Sequence, residues 1–173
     1  FLAERPEGAA GSVVVPSMEG TRPILIEVQS LVSSTSFGMP RRTAIGVDHN
    51  RVSLLTAVMD KICGIHLGSS DIFLNVAGGV KVDETAIDLG IVSAMASSFL
   101  NRPIATGTVV FGEVGLTGEI RGISQTEVRI KEAARMGFTR CILPRTQQSE
   151  SRQGKNIELI PIRSLKELTE HLF

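Results

Sequence analysis

The chain has 173 residues, 42% of them hydrophobic, enough for one domain that buries about 70% of its unfolded surface. Its 18 basic residues balance 18 acidic ones, so no global field drives it onto nucleic acid or membrane, and any anion site has to come from local clustering. No run approaches the roughly 20 apolar residues of a membrane span, no signal peptide is visible, and the three histidines lack zinc-ligand spacing, so the expectation is a cytoplasmic domain without metal or cofactor.

In chain order, FLAERPEG reads as the end of a linker or the lip of a domain, within a lip region of residues 1–20. Ser12 to Val15 is a short β-branched run, and Ile24 to Val32 alternates as a half-buried strand does. Phe37 to Asn50, with its Gly, Pro and paired Arg residues, predicts exposed, irregular chain that carries a short strand at Ala44 to Val47. Arg51 to Cys63 places Leu55, Val58, Met59 and Ile62 on one helical face, capped by Asn50 or Asp48 and stopped by Gly64.

Asp71 to Ala77 predicts a strand that ends in Gly78-Gly79, and Asp83 to Phe99 a helix with Ile87, Ile91, Ala94, Met95 and Ser98 on one stripe. Ser93, Ser97 and Ser98 read as small packing residues of that helix. Thr106 to Val114 and a second strand at Glu119 to Ile120 flank the turn Gly115 to Gly118, which makes a hairpin. Thr126 to Met136 is a charged amphipathic helix closed by Gly137 and Phe138, followed by a buried strand at Arg140 to Leu143. The last elements are a strand at Ile157 to Ile160 and a helix opened by a capping box of Ser164 and Glu167. Cys63 and Cys141 fall inside apolar patterns and read as small buried hydrophobes, not as a disulfide. Without regular βαβα alternation, the pattern favours a two-layer α+β domain with a mixed sheet and packed helices.

The stretch GEVGLTGEIRGISQTEVRIKEAARMGFTRCILP, Gly112 to Pro144, resembles the segment of Lon-type peptidases that carries their catalytic lysine. Val82 to Ser98 resembles the segment that carries their nucleophilic serine, and Ile157 to Leu172 their closing strand and helix. The strings ERPEGAAGSVVVPSMEGTRPILIEVQSLV, MPRR, DHNR and NVAGGVKVDETAIDL resemble the RadA/Sms family of bacterial recombination proteins specifically. The resemblance implies a single Lon-protease-like domain over residues 1–173, a zinc motif and a RecA-like ATPase upstream in the same chain, and rings, by analogy hexamers, that bind single-stranded or branched DNA.

A Ser-Lys peptidase needs a serine hydroxyl beside a lysine whose amine is kept neutral by burial. In the Lon register the two positions fall on Ala86 and Glu127, so neither group is present and the domain reads as a non-enzyme. Thr85 is one residue away, which rotates its hydroxyl about 100° from the site, and it reads as a helix cap with Asp88. No G-x-x-x-x-G-K-[ST] phosphate cradle occurs in the chain. For DNA contact the candidates are Arg22, Arg41, Arg42 and Arg51, in loops or at element starts, with Lys81 as a further member. Their structural alternative is a solvated surface with local ion pairs such as Arg51 with Asp48. Arg121 and Arg129 read as inter-subunit or solvent-facing residues. Two other readings stand beside the DNA-holding scaffold: a Lon-like peptidase with an unrecognised nucleophile, and a purely structural oligomerisation domain.

Overall fold

The structure, a computed structural model, describes residues 2–36, 38–146 and 156–173, so the Phe1 and Phe37 ends of two expected irregular segments lie outside the described residues. β1 (Ser12–Glu19) and β2 (Arg22–Ser34) form an antiparallel hairpin, and β3 (Arg42–Ile45) leads into α1 (His49–Val58), which continues as a wider turn over Met59–Cys63. β4 (Ser70–Val76) is followed by a tight turn at Thr85–Ile87 and α2 (Asp88–Leu100). Then come β5 (Thr108–Val110), the small hairpin β6 (Glu113–Val114) and β7 (Ile120–Arg121), and α3 (Thr126–Arg135). β8 (Arg140–Pro144), β9 (Glu158–Ile162), a turn at Leu165–Glu167 and α4 (Leu168–Leu172) complete the chain.

Seven strands make one sheet in the order β3-β4-β2-β1-β5-β8-β9. The pairs β1/β2 and β2/β4 are antiparallel and the other four are parallel, which makes the mixed-sheet α+β domain that the sequence pattern favours. The β-branched run at the start of β1 ends up in the interior of this sheet. Val13, Val14 and Val15 are all fully buried although successive residues point to opposite faces, so β1 is covered on both sides. Most of the second half of the expected lip region is therefore a core strand.

α2 departs from the expected one-sided stripe. Every residue from Asp88 to Ser97 is buried, because the helix lies against β1 and β2 on one side and is covered by α1 and other elements on the rest. That position explains its small residues. A Cβ on Gly90 would lie 2.3 Å from Cγ2 of Val15, so only glycine lets helix and strand approach this closely. Ser97 accepts a hydrogen bond from the Gly11 amide at 2.9 Å and donates to the Arg102 carbonyl at 2.5 Å, and Ser98 accepts from the Val32 amide at 2.9 Å. These serines are packing and tethering residues, as their spacing suggests.

Local stop and start signals act where the sequence places them. Asp48 caps α1 by accepting from the Asn50 amide at 3.1 Å, and Gly64 adopts the left-handed conformation that ends the following turn. Phe138 donates its amide to the Ala133 carbonyl at 3.0 Å while Gly137 bonds Ala134, which is the expected helix stop. Ser164 and Glu167 form the capping box.

Candidate functional site

The corner where the resemblance sets the two dyad positions is closed by main chain. Ala86 is 1% exposed, its carbonyl accepts from the Gly112 amide at 2.9 Å, and the Gly112 carbonyl accepts from Leu89 at 3.1 Å. These two bonds staple the turn before α2 to the segment leaving β5. Glu127 lies in the first turn of α3 and is exposed.

The cationic group of this corner is Arg129, two residues further along α3. Its side chain is 2% exposed, which corrects the expectation of a solvent-facing or inter-subunit residue. Nη1 donates to the Pro16 carbonyl at 3.0 Å and pairs with Glu84, Nε donates to the Ser124 carbonyl at 3.0 Å, and the guanidinium lies 5.9 Å from the centroid of Phe111. Glu84 also accepts from the Met18 amide at 3.2 Å. The group therefore ties β1, the approach to α2 and α3 together. As a residue type, arginine does not supply the neutral amine that a serine nucleophile needs.

Asp88 and Arg51 form a second interior pair. Asp88 is fully buried and accepts from Arg51 Nε at 2.9 Å, from Arg51 Nη2, and from the Val114 amide at 3.0 Å; Arg51 Nη2 also donates to the Val114 carbonyl at 3.2 Å. Burial pushes the Asp88 carboxyl up, opposed by the hydrogen bond from Arg51, and that same bond holds the Arg51 guanidinium above its usual range. Two sequence expectations are corrected here. Arg51 pairs with Asp88 rather than Asp48, whose carboxylate caps α1. Thr85 and Asp88 do not form a side-chain cap, because the Asp88 carboxylate is turned to Arg51 and only its amide bonds the Thr85 carbonyl.

The five nominated basic residues do not meet. Arg22 is exposed at the start of β2, and Lys81 is exposed on the wall of a cavity of about 500 Å³ that Glu19, Asp83 and Glu84 also line. Arg41 lies toward the other end of the sheet, since Arg42 pairs with Ile72 and Ile72 with Val32, ten residues along β2 from Arg22. That separation is about 33 Å at strand rise. The Arg41 side chain is 74% exposed, yet it pairs with Asp71 at 3.2 Å and lies 5.8 Å from the Phe73 centroid. Asp71 is held below the usual carboxylate range, first by the Arg41 amide and then by Thr35 and the Arg41 guanidinium. Arg42 spends its guanidinium on the carbonyls of Ser70 and Leu67. Arg42 and Arg51 are thus engaged internally, while Arg22 and Lys81 reach solvent toward one end of the sheet, where Glu19, Gly20 and Ile24 share a cavity with Lys81, and Arg41 reaches it toward the other.

Three exposed basic residues that the sequence reading passed over gather elsewhere: Arg145, Arg163 and Lys166, just after β8 and β9. Their signal was present as a basic residue directly following each of two apolar runs, ILPR and LIPIR. Among the described residues no group of three or more His, Cys, Asp or Glu is placed to hold a metal ion, and no helix is long and apolar enough to cross a membrane.

A family model described as subunit ChlI of Mg-chelatase matches residues 27–147. The protein named DNA repair protein RadA of Bacillus subtilis (strain 168) is 54% identical over 167 residues, covering 96% of this chain and 36% of that relative. Its namesake in Listeria monocytogenes serovar 1/2a is 46% identical over 167 residues, with the same 96% and 36% coverage. That of Streptococcus pyogenes serotype M1 is 47% identical over 173 residues, covering 100% of this chain and 38% of the relative. The chain spans little more than a third of the length of these relatives.

Proposed function

We propose, from the premise that the chain belongs to the family described as subunit ChlI of Mg-chelatase and is similar to proteins named DNA repair protein RadA, that it is the non-catalytic, Lon-peptidase-like module of such a repair protein. In this reading it assembles into a ring, by analogy a hexamer, holds single-stranded or branched DNA in recombination and repair, and hydrolyses nothing itself. ATP-driven work then falls to the part of the relatives' length that this chain does not span.

The observation that carries the reading is the state of the dyad corner. Ala86 offers no nucleophilic atom, Glu127 no amine, and the nearby cation is a buried guanidinium bonded to Pro16, Ser124 and Glu84. Casein hydrolysis by the purified chain should match a buffer blank, and a serine-reactive probe should leave it unlabelled. Restoring the pair as Ala86→Ser with Glu127→Lys should not create activity, because positioning within about 0.5 Å requires supporting residues that here hold Arg129 instead. Hydrolysis that survives repurification and disappears in Thr85→Ala would overturn the reading in favour of an unrecognised nucleophile.

A ring lets each subunit contribute only a few cations, since the field at its centre sums over copies. Arg22, Arg41 and Lys81 remain candidates for that role, and Arg42 and Arg51 act first as internal braces. A second reading, an assembly domain without DNA contact, is favoured by one feature. The sheet face formed by β2, β3 and β4 leaves Leu31 60% and Ile45 56% exposed around a cavity of about 370 Å³ that Pro6 and Phe73 also line. Failure to bind an oligonucleotide while assembling would select this second reading.

A further inference from the structure

Two rows of side chains stand on the sheet face turned away from α2. The ladder sets Leu31 of β2 beside Phe73 of β4 and Phe73 beside Thr43 of β3, and in the next row Gln29 beside Asn75 and Asn75 beside Ile45. Residues paired in register, and residues two apart on one strand, share a face, so all six point the same way. Val28, which precedes Gln29 on β2, points the other way: its Cγ2 would lie 3.8 Å from a Cβ on Gly90 of α2. Leu31 and Ile45 are more than half exposed, and the cavity of about 370 Å³ that both line has no charged residue among its described lining. Scattered apolar side chains on a surface need no explanation, but apolar rows around a hollow mark a place where another surface sits.

A matching projection stands on the same chain. Leu116, at the tip of the β6/β7 hairpin, is 71% exposed, more than any other described leucine or isoleucine. The Gly115 amide donates to the Glu119 carbonyl at 2.9 Å, the Gly118 amide to the Gly115 carbonyl at 3.0 Å, and the Leu165 amide to the Gly118 carbonyl at 2.8 Å. Gly118 has a φ of 82° and no room for a side chain, since a Cβ there would lie 2.9 Å from Cγ2 of Ile62. Leu116 is thus presented on a fixed support, which lowers the ordering cost of inserting it into a partner. Gly115 to Gly118 carry no charged side chain, as the described cavity lining carries none, so the two surfaces match in polarity. They do not meet within one chain. The hollow lies at β3, one edge of the sheet, and the hairpin is bonded through the Ile120 amide to the Arg163 carbonyl, directly after β9, the other edge. Six strand spacings of about 4.8 Å put roughly 29 Å between those edges.

We propose that Leu116 of one copy of this chain seats in the Leu31/Ile45 hollow of the next, as the head-to-tail contact between copies. The inference rests on the reading that the chain assembles, and it names the surfaces that meet. A projection and a hollow at opposite ends of one molecule make a heterologous contact, which repeats from copy to copy and closes into a ring when the rotation between copies allows.

The test is light scattering of two variants, alone and mixed. Leu116→Asp leaves a copy with a hollow and no apolar projection, and Ile45→Asp a copy with a projection and a charged hollow. Each alone should have a mass of 18.5 kDa, and an equimolar mixture should give twice that mass and no more, because one good contact remains and a second cannot form. Leu116→Met, which stays apolar, should assemble as the unaltered chain does. Unchanged urea midpoints establish that the variants fold, with Leu31→Gln as the hollow variant where Ile45→Asp lowers the midpoint. A Leu116→Asp chain that assembles like the unaltered one would overturn the contact while the assembly reading stands; if Ile45→Asp is then monomeric, the hollow pairs with the same face of a second copy instead. A mixture that stays at 18.5 kDa beside an assembling unaltered chain would also overturn it. An unaltered chain of 18.5 kDa at every concentration would overturn both readings and leave the hollow to a partner of different sequence.

Discussion

Arginines in two regions of this molecule have opposite fates. Around α2, Arg51 and Arg129 are drawn inside, each against a carboxylate and backbone carbonyls, and there they hold separate elements together. At the end of β9, Arg163 stands in solvent without a side-chain hydrogen bond or ion pair among the described residues, beside a Glu167 carboxylate that accepts from main-chain amides. The difference teaches that position in sequence says little about which arginine is available to a ligand. Availability depends on whether a carboxylate is left over in three dimensions after local capping is satisfied. An interior arginine should matter for stability and little for salt-dependent binding, and an edge arginine the reverse.

The sharpest break of this comparison is Arg51→Ala, which would leave Asp88 fully buried with the Val114 amide as its remaining donor. A loss of about 3–5 kcal/mol is expected, read from urea denaturation, because removing one partner of a buried pair strands the other charge. Arg129→Ala should cost less, about 1.5–3 kcal/mol, since Glu84 is a quarter exposed and can turn to water. Either variant at the stability of the unaltered chain would erase the interior half of the contrast. Gly90→Ala tests the frame that places Asp88: the added methyl meets Val15, and overpacking of this kind costs about 1–3 kcal/mol.

A smaller effect comes from the hairpin tip. Glu119 accepts from the Thr117 hydroxyl at 2.7 Å and the Thr117 amide at 3.1 Å, and its carboxyl is held down at about 2, led by the Thr117 hydroxyl. A carboxyl depressed in the folded state contributes stability above its unfolded value near 4.5 and loses it as pH falls toward 2. Acid titration followed by NMR should show Glu119 among the last carboxylates to protonate, and Thr117→Ala should move its midpoint upward. A midpoint that Thr117→Ala does not move would remove this bond as the cause. The smallest effect is predicted for Arg163→Gln, within about 0.5 kcal/mol on stability, as for an exposed side chain that makes no side-chain hydrogen bond or ion pair among the described residues.

Features governed by neighbours in the chain were legible in the sequence. The Asp48 cap, the Gly64 and Gly137 stops, the Ser164/Glu167 capping box and the hairpin around Gly115 to Gly118 all depend on residues within a few positions, and the structure has each of them. Features that depend on distant partners were not. Within the sequence Arg51 has Asp48 three residues away as an example of a local partner, whereas the fold offers Asp88 at a separation of 37 residues. Arg129 looked solvent-facing on an amphipathic helix because Glu84, 45 residues earlier, is brought over it only by the packing of α3 on β1 and β2. The nominated cations failed to converge for the same reason: β2 is long enough to carry Arg22 and the neighbours of Arg41 to different ends of the sheet.

The proposed function requires that the chain assemble and hold DNA. The most direct measurement is its solution mass by light scattering, with and without a single-stranded oligonucleotide. The expected result is a discrete multiple of 18.5 kDa that is stable to dilution, as a head-to-tail interface closing into a ring gives, and a further increase when the oligonucleotide is added. A mass of 18.5 kDa that is unchanged by concentration and by the oligonucleotide would contradict it.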